Sequence, residues 1–263
     1  MEEWGGIMNE VQCGEYLARI GFDGEVTHTA KCLDELILAH LKTVPFENLD
    51  VSQDHKVPSL KEEDLFDKIV IRKRGGWCFE LNKLFYELLK ACGFDAIPIA
   101  VRIVWMKPEL PPYLHRATVV RLNGKEYLCD VGYGGPGPKG LVELADGEYQ
   151  IKHAQFRVQM HRPDTKGAIV IEKLHDGEYH EMLRFYNRET EDVDYSLMNL
   201  YCARADGAFF ANRDVANLYR EDGGNALMEN ELKLTRNGMV TVMECHNDEE
   251  KKEWLKQYFG IEK

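Results

Sequence analysis

Arg74-Gly75-Gly76-Trp77-Cys78-Phe79-Glu80-Leu81-Asn82 decides how the rest of the chain is read. From Trp77 to Cys92 the apolar residues Leu81, Leu84, Phe85, Leu88 and Leu89 fall on one helical face, and Gly93 is placed to stop the helix. Cys78 therefore stands at a helix start, directly after a two-glycine break. The positive end of a helix dipole favours a thiolate, the reactive form of cysteine. The two glycines would let the backbone approach a substrate closely. A cysteine in an apolar helix is otherwise core filler; its position at the first turn is what sets Cys78 apart.

Upstream, the chain reads as helices. Thr29 to Lys42 places Leu33, Leu36, Ile37 and Leu41 at helical spacing behind Thr29 as cap, and Ser59-Leu60-Lys61-Glu62 has the form of a capping box. Downstream, alternating residues predict strands over 96–104, 115–122, 125–131, 148–162, 168–174 and 179–186. A short helix near 192–203, a hairpin around Asn237-Gly238 and a final amphipathic helix with Trp254, Leu255, Tyr258 and Phe259 follow. Its acidic start, Asp248 to Glu253, reads as a solvated first turn. Helices, then strands, then a mixed remainder make an α+β protein.

A base for Cys78 comes from one hairpin. Residues 115–122 and 125–131 flank Asn123-Gly124, a strong two-residue turn signal. Pairing Leu122 with Lys125 sets His115 opposite Gly132. Asp130 then lies on the same face as His115, about 7–8 Å away on the diagonal. A slip of one residue would separate them. Taken singly, His115 is a strand histidine and Asp130 a strand end. Together with Cys78 they form a Cys-His-Asp triad, in which a carboxylate orients the imidazole and the imidazole activates the nucleophile.

Composition narrows the function classes. The 263 residues carry 45 acidic and 33 basic side chains, a net charge of −12, which argues against nucleic acid as the main partner. No stretch is apolar enough to span a membrane, and the acidic Met1-Glu2-Glu3-Trp4 start lacks the apolar core of a secretory signal. Seven widely spaced cysteines without a C-x-x-C motif fit reduced thiols, and hence the cytoplasm. The nine histidines, among them His153, His161, His175 and His180, show no metal-ligand spacing, so no metal is expected.

Val44-Pro45-Phe46-Glu47-Asn48-Leu49, the block 74–82, His115 and Asp130-Val131-Gly132-Tyr133-Gly134 together resemble the arylamine N-acetyltransferase family, over most of the first 140 residues. The resemblance implies an N-terminal helical bundle over 1–93 carrying the nucleophile. A central antiparallel β-barrel over 94–200 would carry the histidine and aspartate, with an α/β lid over 201–263, around a cysteine-protease-like triad core. It implies acetyl-coenzyme A as donor and an aromatic amine, hydrazine or N-hydroxyarylamine as acceptor. Cys78 would be acetylated, His115 would act as base and acid, and Asp130 would orient it. By motif position Phe46, Trp77 and Tyr133 would line the acceptor pocket, and Gly132 and Gly134 would pass close to coenzyme A. Glu80 is expected to brace the helix start or Arg74. Two departures stand out: Tyr133 replaces a common Phe, and Tyr201–Phe210 matches the family's lid only loosely. Other readings of the same triad are a cysteine hydrolase or transglutaminase-like enzyme and an amide synthase of this family. A further reading is a non-enzymatic protein that binds coenzyme A or a partner.

Overall fold

A computed structural model describes residues 8–263, so the Met1–Trp4 start lies outside the described residues. The helical part runs through α1 (Glu10–Ile20) and α2 (Ala30–Thr43), a two-residue strand β1 (Phe46–Glu47), α3 (Leu49–Ser52), α4 (Glu62–Phe66) and α5 (Cys78–Ala91). Thr29 caps α2 through the Cys32 N–H. The chain leaves α5 through Gly93, whose φ of +82° is left-handed. Leu81, Leu84, Phe85, Leu88 and Leu89 bury the inner face of α5 against Leu33, Leu36 and Ile37 of α2. The capping box at 59–62 does not form. Ser59 Oγ instead accepts the Lys61 N–H and bonds Asp64, and α4 begins at Glu62. A local Ser turn has outcompeted the cap.

The strands that follow are β2 (Asp95–Ile103), β3 (His115–Leu122), β4 (Lys125–Cys129), β5 (Val142–Glu143), β6 (Gly147–Ile151), β7 (Ala154–Gln159), β8 (Ile169–His175) and β9 (Glu178–Phe185). They pair antiparallel in the order β5-β4-β3-β2-β9-β8-β7-β6. The two edge strands, β5 and β6, are consecutive in the chain, so the sheet bends round into a nearly closed barrel. Ile99, Val101, Val119, Phe156, Ile171 and Phe185 fill its interior. The single strand expected over 148–162 is two strands, turned at Lys152-His153. Lys152 takes a φ of +52° there without a glycine.

The C-terminal part comprises α6 (Asp192–Arg204), β10 (Val215–Arg220), β11 (Gly223–Met228), β12 (Glu231–Arg236), β13 (Met239–Glu244) and α7 (Asp248–Phe259). Its sheet has the order β1-β10-β11-β12-β13, so its first strand is borrowed from residues 46–47. Leu255 and Phe259 of α7 close over Leu227 and Leu232. No helix among the described residues is long and apolar enough to cross a membrane.

Candidate active site

The turn that leads into Cys78 is built from charge and close backbone contact. Glu80 receives the Trp77 N–H at 3.0 Å and Lys68 at 2.8 Å, which satisfies one free donor of the helix start. Lys68 also meets Asp50 at 2.7 Å, and Arg74 meets Glu47 at 2.6 Å and Asp50 at 3.1 Å. Glu80 thus braces the helix start through Lys68, while Arg74 belongs to Glu47 and Asp50. The two glycines serve the protein itself. A Cβ on Gly75 would sit 2.1 Å from Pro45 O, and one on Gly76 would sit 2.9 Å from the Glu80 carboxylate. Their bareness lets β1 bridge to Gly76, with the Glu47 N–H donating to Gly76 O at 2.9 Å.

The hairpin register is the expected one: Leu122 pairs with Lys125 and Thr118 with Cys129. The ladder stops at Cys129, and Asp130 turns inward from just beyond it. His115 Nε2 lies 2.6 Å from Asp130 Oδ2, both side chains being buried. Asp130 Oδ1 accepts from Asn82 Nδ2 and from the Gly132 N–H, each at 2.9 Å. Burial pushes the Asp130 carboxyl up. His115, Asn82 and the Gly132 amide outweigh that and hold it below the usual carboxylate range.

Asn82 is the residue that sequence reasoning quoted without giving it a role. It stands one helical turn after Cys78, on the same face. Besides Asp130 it donates to Arg116 O at 2.5 Å and accepts the Val131 N–H at 2.9 Å. It therefore ties α5 to both strands of the hairpin. Arg116, wholly buried, holds the same strand from behind through Asp192 at 2.9 Å and the Tyr195 ring at 4.3 Å.

Cys78 is buried beside this pair, its Sγ 4.0 Å from Leu114 O. Burial, and next the neighbouring Cys202, push the thiol well up; the Arg116 and Phe79 backbone amides pull the other way. A thiolate here must therefore be matched by a cation. His115 Nδ1 is buried without a hydrogen-bond partner among the described residues, and it is the ring nitrogen left over by Asp130.

The remaining expected residues divide. The Tyr133 ring stands edge-on to His115, 5.9 Å between centres. Phe46 and Trp77 both contact Phe210, at 5.7 and 6.3 Å, so an aromatic wall forms in which Phe210 is the unpredicted member. Trp77 is fully buried and packs edge-on against Phe79. Gly132 and Gly134 are explained by packing: Cβ atoms there would lie 2.8 Å from Cys78 Cα and 2.4 Å from the Phe46 ring. No group of three or more His, Cys, Asp or Glu side chains able to hold a metal occurs among the described residues.

This geometry has counterparts. Residues 29–262 match the family described as N-acetyltransferase. An arylamine N-acetyltransferase from Escherichia coli is 31% identical over 217 residues, 82% of this chain and 75% of that protein. The structure of arylamine N-acetyltransferase from Salmonella typhimurium superposes with a TM-score of 0.88 at 25% identity, covering 97% of this chain and 92% of that one. That of the Mycobacterium marinum enzyme in complex with CoA gives 0.86 at 28% identity, covering 95% and 92%.

Proposed function

The chain belongs to the arylamine N-acetyltransferase family, and on that premise we propose that it passes acetyl from acetyl-coenzyme A to aromatic amines through the sulfur of Cys78. The observation that carries this reading is the 2.6 Å contact of His115 Nε2 with Asp130, which leaves Nδ1 without a hydrogen-bond partner on the strand whose preceding carbonyl, Leu114 O, lies 4.0 Å from Cys78 Sγ.

His115 Nδ1 takes the thiol proton, and the imidazolium and Asp130 offset the thiolate charge that burial disfavours. The sulfur attacks the thioester carbonyl. Coenzyme A leaves with the proton from His115, and Cys78 holds the acetyl group as a new thioester. An aromatic amine, hydrazine or N-hydroxyarylamine then attacks that carbonyl and gives its proton to His115. The Cys78 thiolate departs and is reprotonated. Two half-reactions at one sulfur make the kinetics ping-pong. The acceptor ring lies along Phe46, Trp77 and Tyr133. The thiol end of coenzyme A passes the backbone at Gly132 and Gly134, held against Cys78 and Phe46. Seven free cysteines suit the cytoplasm as the site of action.

Mass spectrometry of the Cys78 peptide tests the proposal. An acetyl adduct after acetyl-coenzyme A, discharged by an arylamine and absent in Cys78→Ser, is the expected result. A folded protein that forms no adduct overturns it in favour of a cysteine hydrolase.

A further inference from the structure

Two of the seven free cysteines touch. Cys13 Sγ lies 3.6 Å from Cys92 Sγ, across 79 residues of chain. Cys13 stands in the first turns of α1, and Cys92 caps the end of α5, the helix that begins at Cys78. Both are part-exposed, whereas Cys32, Cys78, Cys129 and Cys245 are buried. Neither backbone is free to carry its sulfur away. Asn9 and Gln12 close a capping box at the start of α1, and the Cys13 N–H donates to Asn9 O at 2.8 Å. At the end of α5 the Cys92 N–H donates to Leu88 O at 2.9 Å, and Cys92 O is held by His28 Nε2 at 2.9 Å.

A sulfur–sulfur contact is the starting geometry of a disulfide, and the closure that remains is within the reach of two side-chain torsions. Burial, then Cys13, push the Cys92 thiol up to about 12, so Cys13 is the sulfur that an oxidant meets first. With a peroxide the Cys13 sulfur attacks and the O–O bond breaks. Cys13 becomes a sulfenic acid, and the peroxide leaves as water or an alcohol. The Cys92 sulfur then attacks Cys13, the S–O bond breaks, and hydroxide departs with the Cys92 proton as water. Two electrons pass from the sulfurs to the peroxide. Loss of the Cys13 thiol removes part of what held the Cys92 proton, so the first step eases the second. Cys32 is withheld from this exchange: its sulfur is buried and accepts the Thr27 N–H at 3.4 Å.

We propose that Cys13 and Cys92 are a site of reversible oxidation, where peroxide forms a disulfide that fastens α1 to the end of α5 and thiols reopen it. The site is separate from the acyl-carrying sulfur, since the 14 residues of α5, about 20 Å of helix, lie between them. A cross-link that closes so long a loop restricts the unfolded chain and stabilises the fold. In a reducing compartment the pair stays open, and it closes when that compartment is oxidised.

The test treats the native full-length chain with hydrogen peroxide, alkylates the remaining thiols in denaturant and maps the unreduced peptides by mass spectrometry. The expected result is a pair of peptides joined through Cys13 and Cys92, two hydrogens lighter than the free thiols and separated again by dithiothreitol. Cys13→Ser and Cys92→Ala should each abolish the link, and Cys32→Ser should keep it. The oxidised native protein should melt roughly 10 °C higher than the reduced one, a shift absent from Cys13→Ser. Acetylation of Cys78 by acetyl-coenzyme A should be unchanged in reduced Cys13→Ser, as separate sites require. Should Cys92→Ala fail to fold, the map of the native chain and Cys13→Ser carry the result. The proposal is overturned if Cys13 and Cys92 both remain open to alkylation, or if Cys13 proceeds to a sulfinic acid without a link. A link drawn instead to Cys32 or Cys202, or one that joins two chains, also overturns it, and a Cys13–Cys92 link that leaves the melting temperature unmoved overturns the fastening of α1.

Discussion

Beneath the first turn of α5, Lys68 and Arg74 share three carboxylates, Glu47, Asp50 and Glu80. Beyond Tyr133, Lys139 and Lys173 share two carbonyl oxygens and no carboxylate. Burial alone would lower the pKa of Lys68, yet Glu80, Glu47 and Asp50 outweigh it and raise it; with no such partners, Lys139 falls to about 8. The first cluster is closed on itself and can only position what it touches, the Cys78 turn. The second leaves its charge open to a ligand. Buried charge that is paired is architecture, and buried charge that is not paired points to a binding partner.

Several measurements would break or sharpen that contrast. The largest effect is expected at the pair that is both closed and chemical. Asp130→Asn cannot offset an imidazolium, so acetylation of Cys78, followed by rapid-quench mass spectrometry, should slow by about 10³–10⁴. A rate within tenfold of native would assign the orienting role to another group. Lys68→Met removes the hub of the paired cluster and leaves its carboxylates buried without their shared cation. Denaturant unfolding should show a loss of about 3–5 kcal/mol. A loss below about 1 kcal/mol would mean that the cage is not what holds the turn.

His40 offers the opposite manipulation. It is buried and bonded to Tyr16 at 2.9 Å, and burial, then Arg19, lower its pKa to about 3. Between its ordinary pKa of 6.5 and that value the unfolded chain binds the proton and the folded one does not. Stability should therefore fall on acidification, by about 1.4 kcal/mol per pH unit through that window. A pH series of unfolding curves should show the slope in the native protein and its absence in His40→Gln. The smallest effect belongs to the open cluster. Lys139 is faced by Lys173, which lowers its pKa, and by Asp130, which raises it. It is charged below pH 8 and loses that charge above. Affinity for a coenzyme A analogue lacking the thiol, whose phosphates that charge would attract, should drop about tenfold between pH 7.5 and pH 9.5, and stay level in Lys139→Arg.

The paired parts of the site were legible in the sequence and the open ones were not. Asn123-Gly124 announces its own turn, and one register then carries His115 to Asp130. The helix from Cys78 is written in its apolar period. Asn82 could have been found from its spacing of four from Cys78. By contrast, the turns at Lys152-His153 and Glu221-Asp222 lack a glycine or asparagine. The hairpin of β6 and β7 was therefore read as one strand, and β10 with β11 went unread. Phe210 reaches the aromatic wall only through the folding of the C-terminal part onto β1. An unpaired lysine has no sequence signature at all, because its distinction is the absence of a carboxylate in space.

The borrowed strand also bears on how the protein is made. Phe46 and Glu47 leave the ribosome early, but their partners Asn217 and Ala216 emerge only after the whole barrel has been translated. The C-terminal sheet can start from its own hairpins, β10 to β13, but its edge strand waits at the other end of the chain, and closing so long a loop is slow. A nascent chain stalled after the barrel already contains Cys78, His115 and Asp130, yet the strand that braces the Gly75-Gly76 turn has lost its neighbour. The last support of the Cys78 turn is thereby added at the end of synthesis, and nonsense truncations before β10 should yield chains that hold Cys78, His115 and Asp130 with β1 lacking its outer neighbour.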